Sequence, residues 1–251
     1  MQREISKLPA TPKFSGKLVQ LITDFIFQPD ADYDISGKTL FVCSIANLNA
    51  MIGKFNELEN IKESKIVVSG GVNPIYKKLT PETVLMRLMA RRNKIKWADI
   101  LHNSESYIIR KRLEKVAGPL NVCTEYRSTN TRENWVNSRN LEFMNNPNGI
   151  VILSDATYSL RQKLTARAVL PPETKIETIS YEAHYNGPFM NDMWCPFLNL
   201  HASRDGWYKN FFARKVVWSE VLRIKKYGDK GDLKLDAANA AKLEEIIQHC
   251  R

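Results

Sequence analysis

Cysteine and histidine are scarce in this chain, with four of each among 251 residues. Cys43, Cys123, Cys195 and Cys250 stand far apart with no C-x-x-C pair, and His184 and His201 keep no ligand-like spacing to Cys195. No zinc site or disulfide framework can be read from such spacings, and no metal is expected. Cys43 and Cys123 fall in apolar strand patterns, where a thiol serves as a small hydrophobe. An apolar run long enough to span a bilayer is also missing, so no membrane partner is expected. The stretch Met1-Gln2-Arg3-Glu4-Ile5-Ser6-Lys7 lacks the apolar core of a signal peptide, which makes the cytoplasm the expected compartment. Neither G-x-G-x-x-G nor a Walker lysine motif occurs, which argues against an ordinary dinucleotide or P-loop site.

Acidic residues are the other shortage: 27 Asp and Glu face 37 Lys and Arg, a net charge of +10. A basic excess attracts nucleic acid or phosphorylated ligands. The charge gathers at Arg87, Arg91, Arg92, Lys94 and Lys96, at Arg110, Lys111, Arg112 and Lys115, and at Arg223, Lys225 and Lys226. All three groups lie in helical patterns without interleaved aromatics. They therefore read as solvated faces, with nucleic acid as the lesser alternative partner.

What is present is the alternation of a globular α/β chain. Apolar residues make up 43% and charged residues 25%, close to globular averages, and the length suits one core domain with extensions. Leu18, Val19, Leu21, Ile22, Phe25 and Ile26 keep a helical spacing. Strands are expected at 38–44, 65–69, 120–124, 150–153 and 175–181. Helices are expected between them, one opened by Thr80-Pro81-Glu82, one by Ser104-Glu105 and stopped at Gly118-Pro119, and one carrying Trp135, Val136, Leu141 and Met144. Tyr158 to Leu170, Trp207 to Tyr227 and Ala237 to Cys250 read as further helices. The expected fold is Rossmann-like, a mainly parallel sheet of about five strands with helices on both faces. The expected division is a helical extension at 1–37, a core at 38–181, and an aromatic loop with helices at 182–251. Within that last part, 182–206 is either a satellite core or a lid.

In such a sheet ligands lie beyond the carboxyl ends of the strands. The polar run from Glu125 to Asn134 stands at such an end, and Ser69-Gly70-Gly71 ends the second strand, where paired glycines allow a tight turn or close approach of a ligand. Glu125 suits ribose hydroxyls or the amides of its own turn. Ser128, Asn130 and Thr131 suit a phosphate or carboxylate at a helix start, or the cap of that helix. Arg127, Arg132 and Arg161 are candidate anion clamps. Asp155 at the fourth strand's exit and Glu105 at a helix start are the candidate catalytic acids or bases.

The ordered set Ser69-Gly70-Gly71, Ser104-Glu105, Glu125-x-x-Ser128-x-Asn130-Thr131-x-x-Asn134, Asp155 with Arg161, and Glu220-x-x-Arg223 with Tyr227-Gly228 resembles the YdcF/SanA-like family, from about Leu40 to Gly231. Many members carry a histidine after the fourth strand where this chain runs from Asp155 to Arg161 without one, which favours the cytoplasmic YdcF branch. The first strand runs into Cys43-Ser44-Ile45-Ala46-Asn47 in place of the family's glycine-rich turn, and 72–103 is an insertion. The resemblance implies a Rossmann-like core and a pocket for S-adenosylmethionine or a related nucleoside, formed by Ser69, Gly70, Gly71, Glu125, Ser128, Asn130, Thr131, Asn134 and Arg161. Two alternatives are a transferase or hydrolase acting on a phosphorylated or nucleotide substrate, and a nucleic-acid-binding protein.

Overall fold

The computed structural model describes residues 11–43, 48–71, 96, 98, 103–146, 148–182, 203–209 and 211–250. The helix expected from Thr80, the basic cluster from Arg87 to Lys94, almost all of 72–103 and the aromatic stretch 183–202 lie outside the described residues.

Five strands form one parallel sheet: β1 (Thr39–Cys43), β2 (Lys65–Ser69), β3 (Val122–Glu125), β4 (Ile150–Asp155) and β5 (Ile176–Tyr181), in the order β3-β2-β1-β4-β5. β1 and β4 are buried at every residue, as central parallel strands must be when helices cover both faces. Successive side chains serve opposite cores. Leu40, Val42, Ile66, Val68, Val151 and Leu153 point to one face, which α2 (Leu48–Phe55) and α3 (Glu105–Ala117) cover. Phe41, Val67, Ile150 and Ile152 point to the other, under α4 (Thr131–Ser138) and α5 (Ala156–Val169). The order reverses between β1 and β4, so the chain is a Rossmann-like doubly wound α/β protein.

A third apolar cluster lies outside the sheet. α1 (Gly16–Ile26), α6 (Phe211–Asp229) and α7 (Ala237–Gln248) bury Leu18, Ile22, Phe25, Val217, Val221 and Leu243 against Leu160 and Leu164 of α5. α5 is thereby enclosed on its outer side as well. Local signals hold the helix ends: Ser15 accepts from the Leu18 amide, Ser104 from Tyr107, Asp155 from Thr157 and Asp236 from Asn239, each satisfying an amide that a helix start leaves open. α3 stops at Gly118, whose φ of 79° suits glycine.

Most boundaries shift by one or two residues, and two helices differ from the expectation by a turn or more. α4 ends at Ser138, and Leu141, Phe143 and Met144 belong to a turn and a 3₁₀ segment, Glu142–Met144, that lays them on the core beneath the sheet. Trp207–Lys209 is likewise a 3₁₀ turn ahead of α6. No described helix is long and apolar enough to cross a membrane.

Candidate functional site

Parallel pairing sets Cys43 beside Ser69 and Ser69 beside Glu125, so β1, β2 and β3 finish level. The loop after β3 folds back over this edge, and its shape depends on Glu125, which is only 5% exposed. Ser69 Oγ donates to Glu125 Oε2 at 2.8 Å and Ser128 Oγ to the same oxygen at 2.5 Å. The amides of Arg127 and Ser128 donate to Oε1 at 2.5 and 3.0 Å, and Asn137 Nδ2 reaches it at 3.4 Å. A carboxylate has about four lone-pair positions, and here the loop and its neighbours fill them. Glu125 therefore orients the loop from behind, and a ribose would have to displace these donors.

Burial alone would raise the Glu125 pKa, but the bonds from Ser128, Arg127 and Ser69 outweigh it and hold the group below its ordinary 4.5. A carboxyl depressed in the folded state contributes stability that is complete above the unfolded value and disappears as pH falls through the folded one. Glu133 and Asp236 are depressed too, and Asp34 is held at about 2 by Ser36 and Asn60. Circular-dichroism melts should therefore show a midpoint that falls below about pH 4.5, and Glu125→Gln should make the fall shallower.

The glycine pair is explained mainly by chain packing. A Cβ on Gly71 would stand 2.4 Å from the Ser128 carbonyl oxygen and 2.8 Å from that of Tyr126. The Gly71 amide donates to Ser128 O at 2.8 Å, and the Gly70 and Gly71 carbonyls accept from the Ser106 and Glu105 amides at 2.9 and 3.1 Å. Gly70 has a φ of 144°, and a Cβ there would meet Glu105 Cβ at 2.9 Å and its Oε2 at 3.3 Å. The two glycines thus join the β3 loop to the start of α3.

Between these parts lies a cavity of about 170 Å³. Gly70, Gly71 and Glu105 form one wall, Ser128 to Thr131 with Asn134 another, and Cys43 and Gln162 also line it. Seven of the eleven expected site residues thus share one hollow. Ser69 and Glu125 stand behind it, and Arg161 touches it only through Thr131. Cys43 and Gln162 were not foreseen. Gln162 Oε1 accepts from Trp135 Nε1 at 2.9 Å and its Nε2 donates to Cys43 Sγ at 3.2 Å, while Trp135 stacks on Phe41 at 3.8 Å. A polar residue directly after Arg161, on a helix face turned to the sheet, was the available signal.

Burial, with the Glu105 charge adding to it, pushes the Cys43 thiol up to about 12. It is a thiol at neutral pH and no nucleophile. Iodoacetamide at pH 8 should leave Cys43 unmodified in the native protein and label it once urea unfolds the chain, as peptide mapping would show.

Two of the three arginines expected as clamps are engaged elsewhere. Arg161 Nε pairs with Glu220 Oε2 at 2.6 Å and its Nη1 donates to Thr131 Oγ1 at 2.9 Å. Arg132 pairs with Asp232 at 3.1 Å, and the Arg127 guanidinium lies 5.8 Å from the Tyr126 ring centre. The start of α4 already holds an acid. Glu133 Oε2 accepts from the Thr129 amide at 2.7 Å and hydroxyl at 3.0 Å, and Asn130 Oδ1 accepts from the Glu133 amide at 3.0 Å. This is close to a capping box, with the acid reaching one residue further back. Asp155 caps α5 through the Thr157 amide at 2.9 Å and does not line the cavity; Glu105 does.

A larger hollow of about 590 Å³ lies between α2, the segment after α1 and the end of β5. Among the described residues its cations are Lys54, paired with Glu57, and Arg204, paired with Asp24 outside the lining, and none of the motif residues is among them. No family model and no curated protein matches the chain.

Proposed function

We propose that this chain is a YdcF/SanA-like protein of the cytoplasm that binds S-adenosylmethionine or a related nucleoside or nucleotide at the carboxyl edge of its sheet. The observation that carries the reading is the level ending of β1, β2 and β3 around one polar cavity lined by the Ser128–Asn134 segment, Glu105 and the glycine pair. Ligands of doubly wound sheets lie beyond this edge. The cavity, at about 170 Å³, is smaller than the roughly 300–1,000 Å³ that encloses a drug-sized molecule, so it suits one end of such a ligand. Thr131 Oγ1 accepts from Arg161 and keeps its own proton to donate.

A ligand that binds only the folded state raises the melting temperature. At a hundred times its Kd the gain is about 2.7 kcal/mol, or roughly 5–10 °C for a chain of this size. S-adenosylmethionine should produce such a shift in the wild type and a much smaller one in Asn134→Ala. No shift with S-adenosylmethionine, S-adenosylhomocysteine, nucleotides or sugar nucleotides would end this reading.

A second reading has its own observation. Tyr107 and Tyr126 are large aromatics exposed at 43% and 59%, and Lys111 and Arg127 lie 5.2 and 5.8 Å from their ring centres. The Tyr126 carbonyl lies 2.8 Å from where a Gly71 Cβ would stand, and Tyr107 follows two residues after Glu105, whose amide donates to the Gly71 carbonyl. Stacking rings with adjacent cations suit single-stranded nucleic acid. Fluorescence anisotropy with a labelled oligonucleotide should then show an affinity that falls steeply with salt and drops in Tyr126→Ala.

A further inference from the structure

The basic groups legible in the sequence are runs of neighbouring residues, but the fold assembles another from separate segments. At the amino edge of the sheet, opposite to the cavity of the Ser128–Asn134 segment, a hollow of about 400 Å³ opens between the end of α5, the turn into β5 and the link from α6 to α7. Arg167 comes from the last turn of α5, Lys175 from the residue before β5, and Lys234 from the link. We propose that this hollow is a second binding site that takes a phosphorylated small molecule of the nucleotide class, the three cations holding its phosphates and Pro171, Pro172 and Leu235 its planar body.

Main-chain bonds fix where the cations start. The Lys234 amide donates to the Leu164 carbonyl of α5 at 3.1 Å, and the Lys175 carbonyl accepts from the Ile150 amide at 2.9 Å. Gly149, with a φ of 98°, permits that second approach, since a Cβ there would stand 2.8 Å from the Lys175 carbonyl oxygen. The positive field is felt on α5 itself. Burial and the Arg167 charge hold Lys163, one turn earlier, below the ordinary lysine value, although Asp236 and Glu177 act against them. Asp236, the acid among the described lining residues, already accepts from Arg167 at 2.6 Å and from the amide and side chain of Asn239 at 2.8 and 3.0 Å. Arg167 keeps further N–H donors beyond that pair, in a planar fork that suits phosphate. The apolar wall is equally built. The Pro171 carbonyl accepts from the Thr174 amide at 3.0 Å, which closes the turn carrying both prolines, and Leu235 is seated on Gly228, where a Cβ would stand 3.0 Å from Leu235 Cδ1. The volume falls within the roughly 300–1,000 Å³ of small-molecule sites, which combine apolar walls with a few polar anchors.

Calorimetry on the full chain with ADP, pyrophosphate and adenosine provides the test. ADP should bind, pyrophosphate should bind more weakly because it leaves the apolar wall uncovered, and adenosine should give no measurable heat. Lys175→Gln combined with Lys234→Gln should weaken ADP roughly tenfold or more, since two charge-assisted contacts are lost. The corresponding pair of arginine substitutions, which keeps both charges, should retain most of the affinity. Both lysines are exposed, so the glutamine pair should melt within about 0.5 kcal/mol of the wild type. Asn134→Ala, at the opposite edge, should still bind ADP, which separates this site from the cavity assigned to S-adenosylmethionine. Absence of ADP binding, an affinity unchanged in the glutamine pair, or an affinity that vanishes in Asn134→Ala would overturn the second site. Pyrophosphate binding as tightly as ADP would overturn the nucleotide class.

Discussion

Gly71→Ala is expected to cost on the order of 3 kcal/mol or more, because the added methyl has nowhere to go. Its position lies 2.4 Å from the Ser128 carbonyl oxygen, 2.8 Å from that of Tyr126 and 2.9 Å from the Arg127 carbonyl carbon. All three are backbone atoms, so no side chain can swing aside. The loop must lift, and lifting it breaks the 2.8 Å bond from the Gly71 amide to Ser128 O and draws the Ser128 donors away from Glu125. Glu125 would then be a buried carboxylate short of donors, a second cost on top of the steric one. Urea unfolding should show the midpoint drop, and melting should fall by roughly 10 °C. A loss within about 0.5 kcal/mol would mean that the loop does not rest on the end of β2.

The second large effect concerns Glu220, which is fully buried between two guanidinium groups. Arg161 reaches Oε2 and Arg223 reaches Oε1, each at 2.6 Å. Removing one partner of a buried pair leaves the other charge uncompensated, at a typical cost of about 3–5 kcal/mol. Glu220→Gln should lose about that much, since Arg161 is only 13% exposed. The double variant Glu220→Met with Arg161→Met should be more stable than Glu220→Gln alone, because it strands no buried guanidinium at position 161, while Arg223, 33% exposed, can turn to water. If Glu220→Gln melts like the wild type, the ion pair adds nothing to the joint between α5 and α6. Arg161 also touches the cavity wall through Thr131, so ligand affinity should weaken in Glu220→Gln even at temperatures where it stays folded.

The elements most legible in the sequence were those whose signals are local. Buried runs such as Leu40-Phe41-Val42 and Ile66-Val67-Val68 stand between polar turns, and Ser104 and Gly118 mark both ends of α3. The end of α4 was not legible, because Leu141 and Met144 continue a helical spacing whether the chain stays helical or turns to lay them on the sheet. That choice belongs to the Trp135–Phe41 side of the core, which tertiary packing builds. The site was legible as a place and less so as a chemistry. The motif from Glu125 to Asn134 does lie at the strand ends, but the partners that occupy Arg132 and Arg161, Asp232 and Glu220, are contributed by distant segments. Spacing along the chain shows an i, i+3 pair such as Glu220 and Arg223; it does not show that Arg161 completes the group.

The cluster that α1 forms with α5, α6 and α7 has a consequence for synthesis on the ribosome. From Ile26, where α1 ends, to Phe211, where α6 begins, the chain runs 185 residues. At about 5–20 residues per second, translation leaves the apolar face of α1 without α6 for roughly 10–40 s. During that interval Ile22, Phe25 and Ile26 have no finished surface to close on, and the outer side of α5 is open once it emerges. A nascent chain arrested before α6 should therefore be captured by chaperones and cut by protease within α1, whereas one carried past α7 should resist both.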